Sequence, residues 1–431
     1  MKYFSTNRQS PAVNFREATI KGQAPDKGLY FPEFIPAIER ELIDHIGEYS
    51  GEEIAFRVIR PYVGEAISED EIRRIVNETL SFPIPLKQVN DRIYSLELFH
   101  GPTLAFKDIG ARFMSRCLGY FLRDENRKVT VLVATSGDTG GAVANGFYDV
   151  AGVDVVILFP SGKVSPVQEK QLTTPGKNIH VLEVNGSFDD CQQMVKQAFA
   201  DTSLSQQIFL TSANSINVAR WLPQQFYYFL AYKQWADKSN PPVVCVPSGN
   251  FGNICAGILA KQSGLPIDHF IAACNVNDIV SDYLQTGVLK PKPATPTLSN
   301  AMDVGNPSNF VRILEIFHHD FPELKNQLSS HCISDEETMK TITEVFRQFQ
   351  YTLDPHGAVA YRALDAYLKQ HPSKRGIFLE TAHPVKFPEA VEKATGMPVT
   401  LPEAVRGLMN QPGQSQKINA DYSSLRDYLL R

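Results

Sequence analysis

Residues Val129–Asp149, VTVLVATSGDTGGAVANGFYD, decide the fold. The opening run, apolar or β-branched up to Ala134, carries no charge, so a strand formed there is covered on both faces. It breaks at Thr135-Ser136-Gly137 and passes straight into a helical pattern, TGGAVANGFYD. The same sequence of events recurs along the chain. VDVVILFPSG (153–162) leads into SPVQEKQL, HVLEVNG (180–186) into SFDDCQQMVKQAFA, and PPVVCVPSGNFG (241–252) into NICAGILAKQ, while DHFIAACN (268–275) continues the theme. Strands apolar on both faces, alternating with helices, imply parallel sheets sandwiched between helix layers. The chain is predicted to be an α/β protein.

Upstream of about residue 98 the pattern changes to a more charged, mostly helical one. SEDEIRRIVNETL is an amphipathic helix, with Ser68 and Glu71 spaced as a capping box, and SFPIPL (81–86) ends it. Proline-rich KPKPATPTL (290–298) reads as a long loop. The 431 residues suggest two to three domains. The formal net charge of -5 provides no polybasic footprint, which excludes nucleic acid and anionic membranes as main partners. Six scattered cysteines without a C-x-x-C pair predict neither a disulfide framework nor a zinc knuckle. The ten histidines form no H-E-x-x-H, and His318-His319 falls in a charged, helical, solvated stretch, so no metal is predicted. The opening MKYFSTNRQSPAVNF has no continuous apolar core of a signal peptide, and no run approaches a membrane span. A cytoplasmic protein with free thiols, monomer or homodimer, is the expectation.

Four places can carry chemistry. In HGPTLAFKDIGARF (100–113), helical spacing surrounds Lys107 with Leu104, Gly110, Ala111 and Met114, while Asp108 and Arg112 can pair on a neighbouring face. Either Lys107 snorkels to water, or it is buried, with a lowered pKa that frees its amine as nucleophile or base. In VPSGNFGNICAG (246–257) a strand meets a helix start, where Gly249 and Gly252 permit left-handed backbone and main-chain N–H groups can converge on a phosphate. That spacing matches neither the Walker loop nor the dinucleotide fingerprint, and glycine serving turn geometry alone is the competing reading. In ATSGDTGGA (134–142), Thr135, Ser136 and Thr139 make a neutral, donor-rich cup suited to a carboxylate, or simply a capped helix. In NSINVAR (214–220), Asn214, Ser215 and Asn217 cluster with Arg220, as an anionic group requires. No G-x-S-x-G elbow is present. A lysine plus a metal-free phosphate cradle fits a cofactor bearing both an aldehyde and a phosphate, namely pyridoxal 5'-phosphate.

These residues also carry a resemblance. LELFHGPTLAFKD (96–108) resembles the cofactor-lysine segment of the threonine synthase family, in the tryptophan-synthase-β-like (fold type II) branch of pyridoxal-phosphate enzymes, and SGNFGN resembles its phosphate loop. ATSGDTGGA, TSANSINVAR, SNAMDVGNPSNF, DPHGAVAYRAL and ETAHPVKF are similar to further pieces in the same order, from NFREATIKGQAPDKGLYFP to about Pro402. The bacterial and fungal type is the nearer match. The resemblance implies two parallel-sheet α/β domains with the cofactor in the cleft between them, plus the N-terminal segment. Their expected extents are 1–98, 99–210 and 211–431, with an insertion around 276–345. It implies Lys107 as the cofactor lysine and Gly249, Asn250, Phe251, Gly252 and Asn253 as the phosphate cradle. Thr381 would face the pyridine nitrogen. Ser136, Asp138 and Thr139 would bind the amino-acid end, and Ser215 and Arg220 the leaving phosphate. An anion beside a substrate carboxylate is unfavourable, so Asp138 has the alternative of facing the cofactor hydroxyl or a backbone donor. The implied reaction converts O-phospho-L-homoserine and water to L-threonine and phosphate, without a metal.

Overall fold

A computed structural model describes residues 1–123 and 128–431 and turns this alternation into two largely parallel sheets. In chain order the strands are β1 (Tyr3–Ser5), β2 (Tyr30–Pro32), β3 (Leu86–Gln88), β4 (Ile93–Glu97), β5 (Val129–Ala134), β6 (Val153–Pro160) and β7 (Ile179–Asn185). They continue with β8 (Phe209–Thr211), β9 (Val243–Pro247), β10 (His269–Cys274), β11 (Leu328–Cys332), β12 (Gly376–Glu380) and β13 (Gln416–Asn419). The smaller sheet has the order β13-β7-β6-β5-β8 and the larger β11-β10-β9-β12-β4-β3. All pairs in both are parallel except β3 with β4.

The apolar runs behave as their composition requires. Along β9, Val244 and Val246 enter one core while Val243 and Cys245 enter another on the opposite face. Along β5, Val129, Val131 and Val133 join the first core, and Leu132 and Ala134 a third. Period-two alternation thus divides each strand between two buried layers. The first core is shared by both sheets and by the N-terminal helices, among them Gly51–Val63 and Glu69–Thr79.

Sheet membership departs from the expected boundaries in two places. β3 and β4 lie before residue 98 yet belong to the larger sheet, where β4 is flanked by β3 and β12. β11 lies within the stretch 276–345 and extends the same sheet beside β10. The C-terminal β13 and helix Tyr422–Leu429 return to the smaller sheet, where Leu425 is buried in its core. The short, polar strand QKIN carries little hydrophobic signal; its place is set by pairing with the free edge of β7.

Local expectations are also revised. The helix Glu69–Thr79 forms, but the Ser68 side chain makes no cap hydrogen bond, and Glu71 pairs with Arg74 and Arg123 instead. His318 and His319 follow the helix Phe310–Ile316 as left-handed turn residues. All six cysteines are free thiols. Among the described residues no helix is long and apolar enough to cross a membrane.

Candidate active site

Lys107 is the first residue of the helix Lys107–Leu122, which begins later than the sequence suggests because Leu104 takes a left-handed conformation. The turn before it is stitched to the end of β12. Phe106 N–H donates to Thr381 O (2.9 Å), His383 N–H donates to Leu104 O (3.0 Å), and Ala105 bridges Ala382. Two segments more than 270 residues apart (107 to 381) are thereby held side by side. Lys107 and Thr381 both line a cavity of about 170 Å³. The Lys107 side chain is 16% exposed, so it neither snorkels to bulk water nor packs away. The expected pair of Asp108 with Arg112 does not form. Asp108 turns inward to accept from Thr103 N–H (3.0 Å), and Arg112 donates to Glu78 O (2.7 Å).

Beyond β9 the chain turns at Gly249–Asn253 into the helix Gly252–Gln262. None of the five N–H groups from Gly249 to Asn253 has a protein acceptor among the described residues. Neither glycine has positive φ; the left-handed residue is Phe251. The glycines serve close approach instead. A Cβ on Gly249 would lie 2.6 Å from Ala301 O, and one on Gly252 3.0 Å from Ser215 Cβ. The asparagine side chains brace the loop, and both residues line the cavity. Asn253 Nδ2 donates to Pro247 O (2.9 Å), and Asn250 Oδ1 accepts from Ser308 N–H (2.7 Å). A helix start with free donors and the positive end of its dipole is an anion site that requires no cation.

At the second corner Thr135 Oγ1 accepts from Gly137 and Gly140 N–H (2.9 and 2.8 Å), so it caps the helix Asp138–Gly146. Ser136 and Thr139 line the cavity. At the third, Asn214, Ser215 and Arg220 line it, but Asn217 does not. Asn217 is fully buried, donating to Thr19 O and capping the turn at Ala219. Arg220 is 4% exposed and forms no ion pair among the described residues. Its Nη1 donates to Ala213 O, and its Nε has no partner. Burial pushes its guanidinium down to about 10, which leaves it charged near neutrality.

Asp138 is placed differently from the amino-acid-binding role that the resemblance implies. Its Oδ1 receives Lys386 Nζ (2.7 Å) and Gln168 Nε2 (2.9 Å), while Oδ2 lies 3.7 Å from Lys107 Nζ. Burial works to raise its carboxyl, but Lys386 and then Lys107 outweigh it and hold it well below the usual range. Lys107 is shifted down, first by burial and further by Lys386 and Arg220, against the opposing pull of Asp138.

Several residues of the site carry no assignment from the sequence. Lys386 has an apolar setting in HPVKF, the same signal that singles out Lys107. His356 lines the cavity with Nδ1 on Asp354 Oδ1 (2.6 Å) and Nε2 accepting from Ala301 N–H (3.2 Å), which steadies the wall beside the phosphate loop. Arg312, fully buried, donates to Ser215 O, Ile216 O, Tyr30 O and Asn309 Oδ1, and Asn309 Nδ2 reaches Ser215 Oγ (2.9 Å). Glu380, just before Thr381, is buried. First that burial and then Asp354 raise its carboxyl well above the usual range. A Cβ on Gly357 would sit 1.5 Å from Glu380 Oε2. Gly357→Ala is therefore expected to displace the end of β12 and cost about 1–3 kcal/mol, read as a lower Tm in thermal unfolding.

Comparison with known proteins bears on this arrangement. Residues 77–379 match the pyridoxal-phosphate dependent enzyme family, residues 2–80 the threonine synthase N terminus and residues 357–429 the threonine synthase C-terminal family. The threonine synthase of Haemophilus influenzae is 44% identical, covering 100% of both chains. The crystal structure of threonine synthase from Escherichia coli superposes with TM-score 0.93 at 43% identity, covering 100% of this chain and 99% of that one. A pyridoxal-phosphate-bound threonine synthase from Brucella melitensis also gives TM-score 0.93, at 35% identity over 100% and 99% of the two chains. The chain is thus a pyridoxal-phosphate-dependent enzyme. Within that class the chain belongs to the threonine synthase family. The residues present fit the cofactor: the unsatisfied N–H groups at 249–253 suit its phosphate, and the part-exposed Lys107 amine suits its aldehyde.

Proposed function

We propose that the chain converts O-phospho-L-homoserine and water to L-threonine and inorganic phosphate. The observation that carries this reading is the pairing, in one cavity, of the Lys107 amine with the unpaired Arg220 cation. A dehydratase acting on an uncharged hydroxyl has no need of that cation. Pyridoxal phosphate, when bound, supplies an electron-withdrawing π-system that stabilises negative charge on the substrate's α-carbon.

The chain's own residues do the rest. The N–H groups of Gly249–Asn253 hold the cofactor phosphate. The Thr381 hydroxyl would face the ring nitrogen and, supplying no counter-charge, would limit racemisation and transamination. Ser136 and Thr139 orient the substrate carboxylate. Arg220, with Asn214 and Ser215, clamps the phosphate that leaves, and fixing both substrate ends aligns the breaking bond with the reacting centre. Lys107 Nζ takes the α-proton as general base. A cytoplasmic location accords with six cysteines that are all free thiols.

The test is an end-point assay of the purified protein with O-phospho-L-homoserine that quantifies phosphate and threonine together. Equal amounts are expected. Phosphate accompanied by 2-oxobutyrate would convert the reading to a phospho-lyase that loses its product to hydrolysis. Absence of phosphate with cofactor bound would overturn the substrate assignment.

A further inference from the structure

Asp138 sits between two lysines, the fully buried Lys386 and the part-exposed Lys107, and its two oxygens are used unequally. Oδ1 has a full ion pair at 2.7 Å with Lys386, which is fully buried. Lys386 Nζ also donates to Thr103 O (2.7 Å), and Gln168 Nε2 completes Oδ1. A buried ion pair needs further hydrogen bonds to hold, and here Thr103 O supplies one to Lys386 and Gln168 one to Oδ1. Oδ2 is left 3.7 Å from Lys107, too long for a hydrogen bond. The groups facing Lys107 are Asp138 at the start of its helix, Lys386 in the turn Pro384–Lys386, and Arg220 in Val218–Trp221. Those facing Lys386 are Asp138, Lys107, Asp108 and His383.

We infer that Lys386 is a positioning residue that sets the charge of the site: by taking the close ion pair with Asp138 Oδ1, it leaves Lys107 only the longer 3.7 Å contact with Oδ2 and so favours a neutral, nucleophilic amine. This deepens the function proposed above and rests on Lys107 as the cofactor lysine. Protonating Lys107 would set another cation beside a carboxylate already neutralised by Lys386, on a side chain that is mostly buried. If Lys386 is lost, Asp138 becomes an unpaired buried anion whose nearest cation is Lys107, and the proton is drawn onto Lys107. If Asp138 loses its charge instead, Lys107 faces only cations and releases its proton more readily. The two changes move Lys107 in opposite directions, which loss of packing alone would not do.

The test follows uptake of pyridoxal phosphate by the full-length chain, stripped of cofactor, as a rise in visible absorbance over a range of pH. Uptake requires the neutral amine, so its pH midpoint reports Lys107. Lys386→Met should move the midpoint up by about one to three pH units. Asp138→Asn should move it down, and the double variant should return it close to the parent value. An unmoved midpoint in Lys386→Met overturns the inference. Should that variant fail to fold, Asp138→Asn decides, and a fixed or rising midpoint there overturns it as well. If the parent chain takes up no cofactor at all, the reading of Lys107 falls and this inference with it. A normal parent profile with unmoved variants sinks the inference alone.

Discussion

Lys107→Ala is expected to abolish the visible absorbance of bound pyridoxal phosphate and to lower threonine formation by about 10²- to 10⁴-fold, the range typical of losing a general base. The two readouts should fall together because one amine serves both purposes: it anchors the cofactor and it moves the substrate's proton. Stability should fall by about 1 kcal/mol, the typical cost of a point substitution, since the side chain is mostly buried but Nζ makes no hydrogen bond among the described residues and its nearest carboxylate oxygen is 3.7 Å away. Lys107→Arg should fail in the same way despite its size and charge. A guanidinium stays protonated and offers no nucleophilic lone pair. Absorbance and turnover measured on the same preparations, with Tm as control, separate chemistry from folding. A variant that keeps both signals would remove Lys107 from the site.

The parts of this architecture that could be read in the sequence are those dominated by local pattern. Doubly apolar runs such as VVCVP identify buried parallel strands because side chains on both faces must leave water, and the structure divides them between two cores. Strand-to-helix corners at 134–142 and 248–253 are legible for a similar reason, since a chain reversing into a helix start needs small residues there. Signals that depend on long-range geometry were weaker. β13 is short and polar, and only the open edge of β7 places it. Gly249 and Gly252 suggest left-handed backbone in a sequence reading, whereas their real constraint comes from Ala301 and Ser215, which lie far along the chain. Asp138 in the motif SGDTGG resembles a ligand for substrate; that it instead answers Lys386, almost 250 residues later, is a property of two loops meeting. Asn217 looks equivalent to Asn214 and Ser215 in NSINVAR, but the helical turn rotates it inward, where it caps and braces.

Arg220→Ala should leave the cofactor spectrum intact and lower kcat/KM for the phosphorylated substrate by about 10- to 150-fold, the equivalent of one charged hydrogen bond at roughly 1.5–3 kcal/mol. The reason lies in what Arg220 does not do. Among the described residues it is buried with no carboxylate partner, and its Nε is left without an acceptor. Gly110 makes room for it, since a Cβ there would stand 3.0 Å from that Nε and 2.7 Å from the Arg220 carbonyl. Such a cation is destabilising unless an anion completes it, and Arg220 is among the residues that line the cavity. The same argument gives Arg220→Lys an intermediate loss: the charge survives, but a compact ammonium replaces the planar fork that can grip two phosphate oxygens. Removing the guanidinium also strands the Ala213 carbonyl, so Tm should be measured alongside the kinetics. If Arg220→Ala loses the cofactor instead, the arginine supports the pyridoxal phosphate and the clamp on the leaving group must be sought elsewhere. If kcat/KM is unchanged while the spectrum is kept, the buried cation is structural, and the preference for a phosphorylated substrate would rest on Asn214 and Ser215 alone.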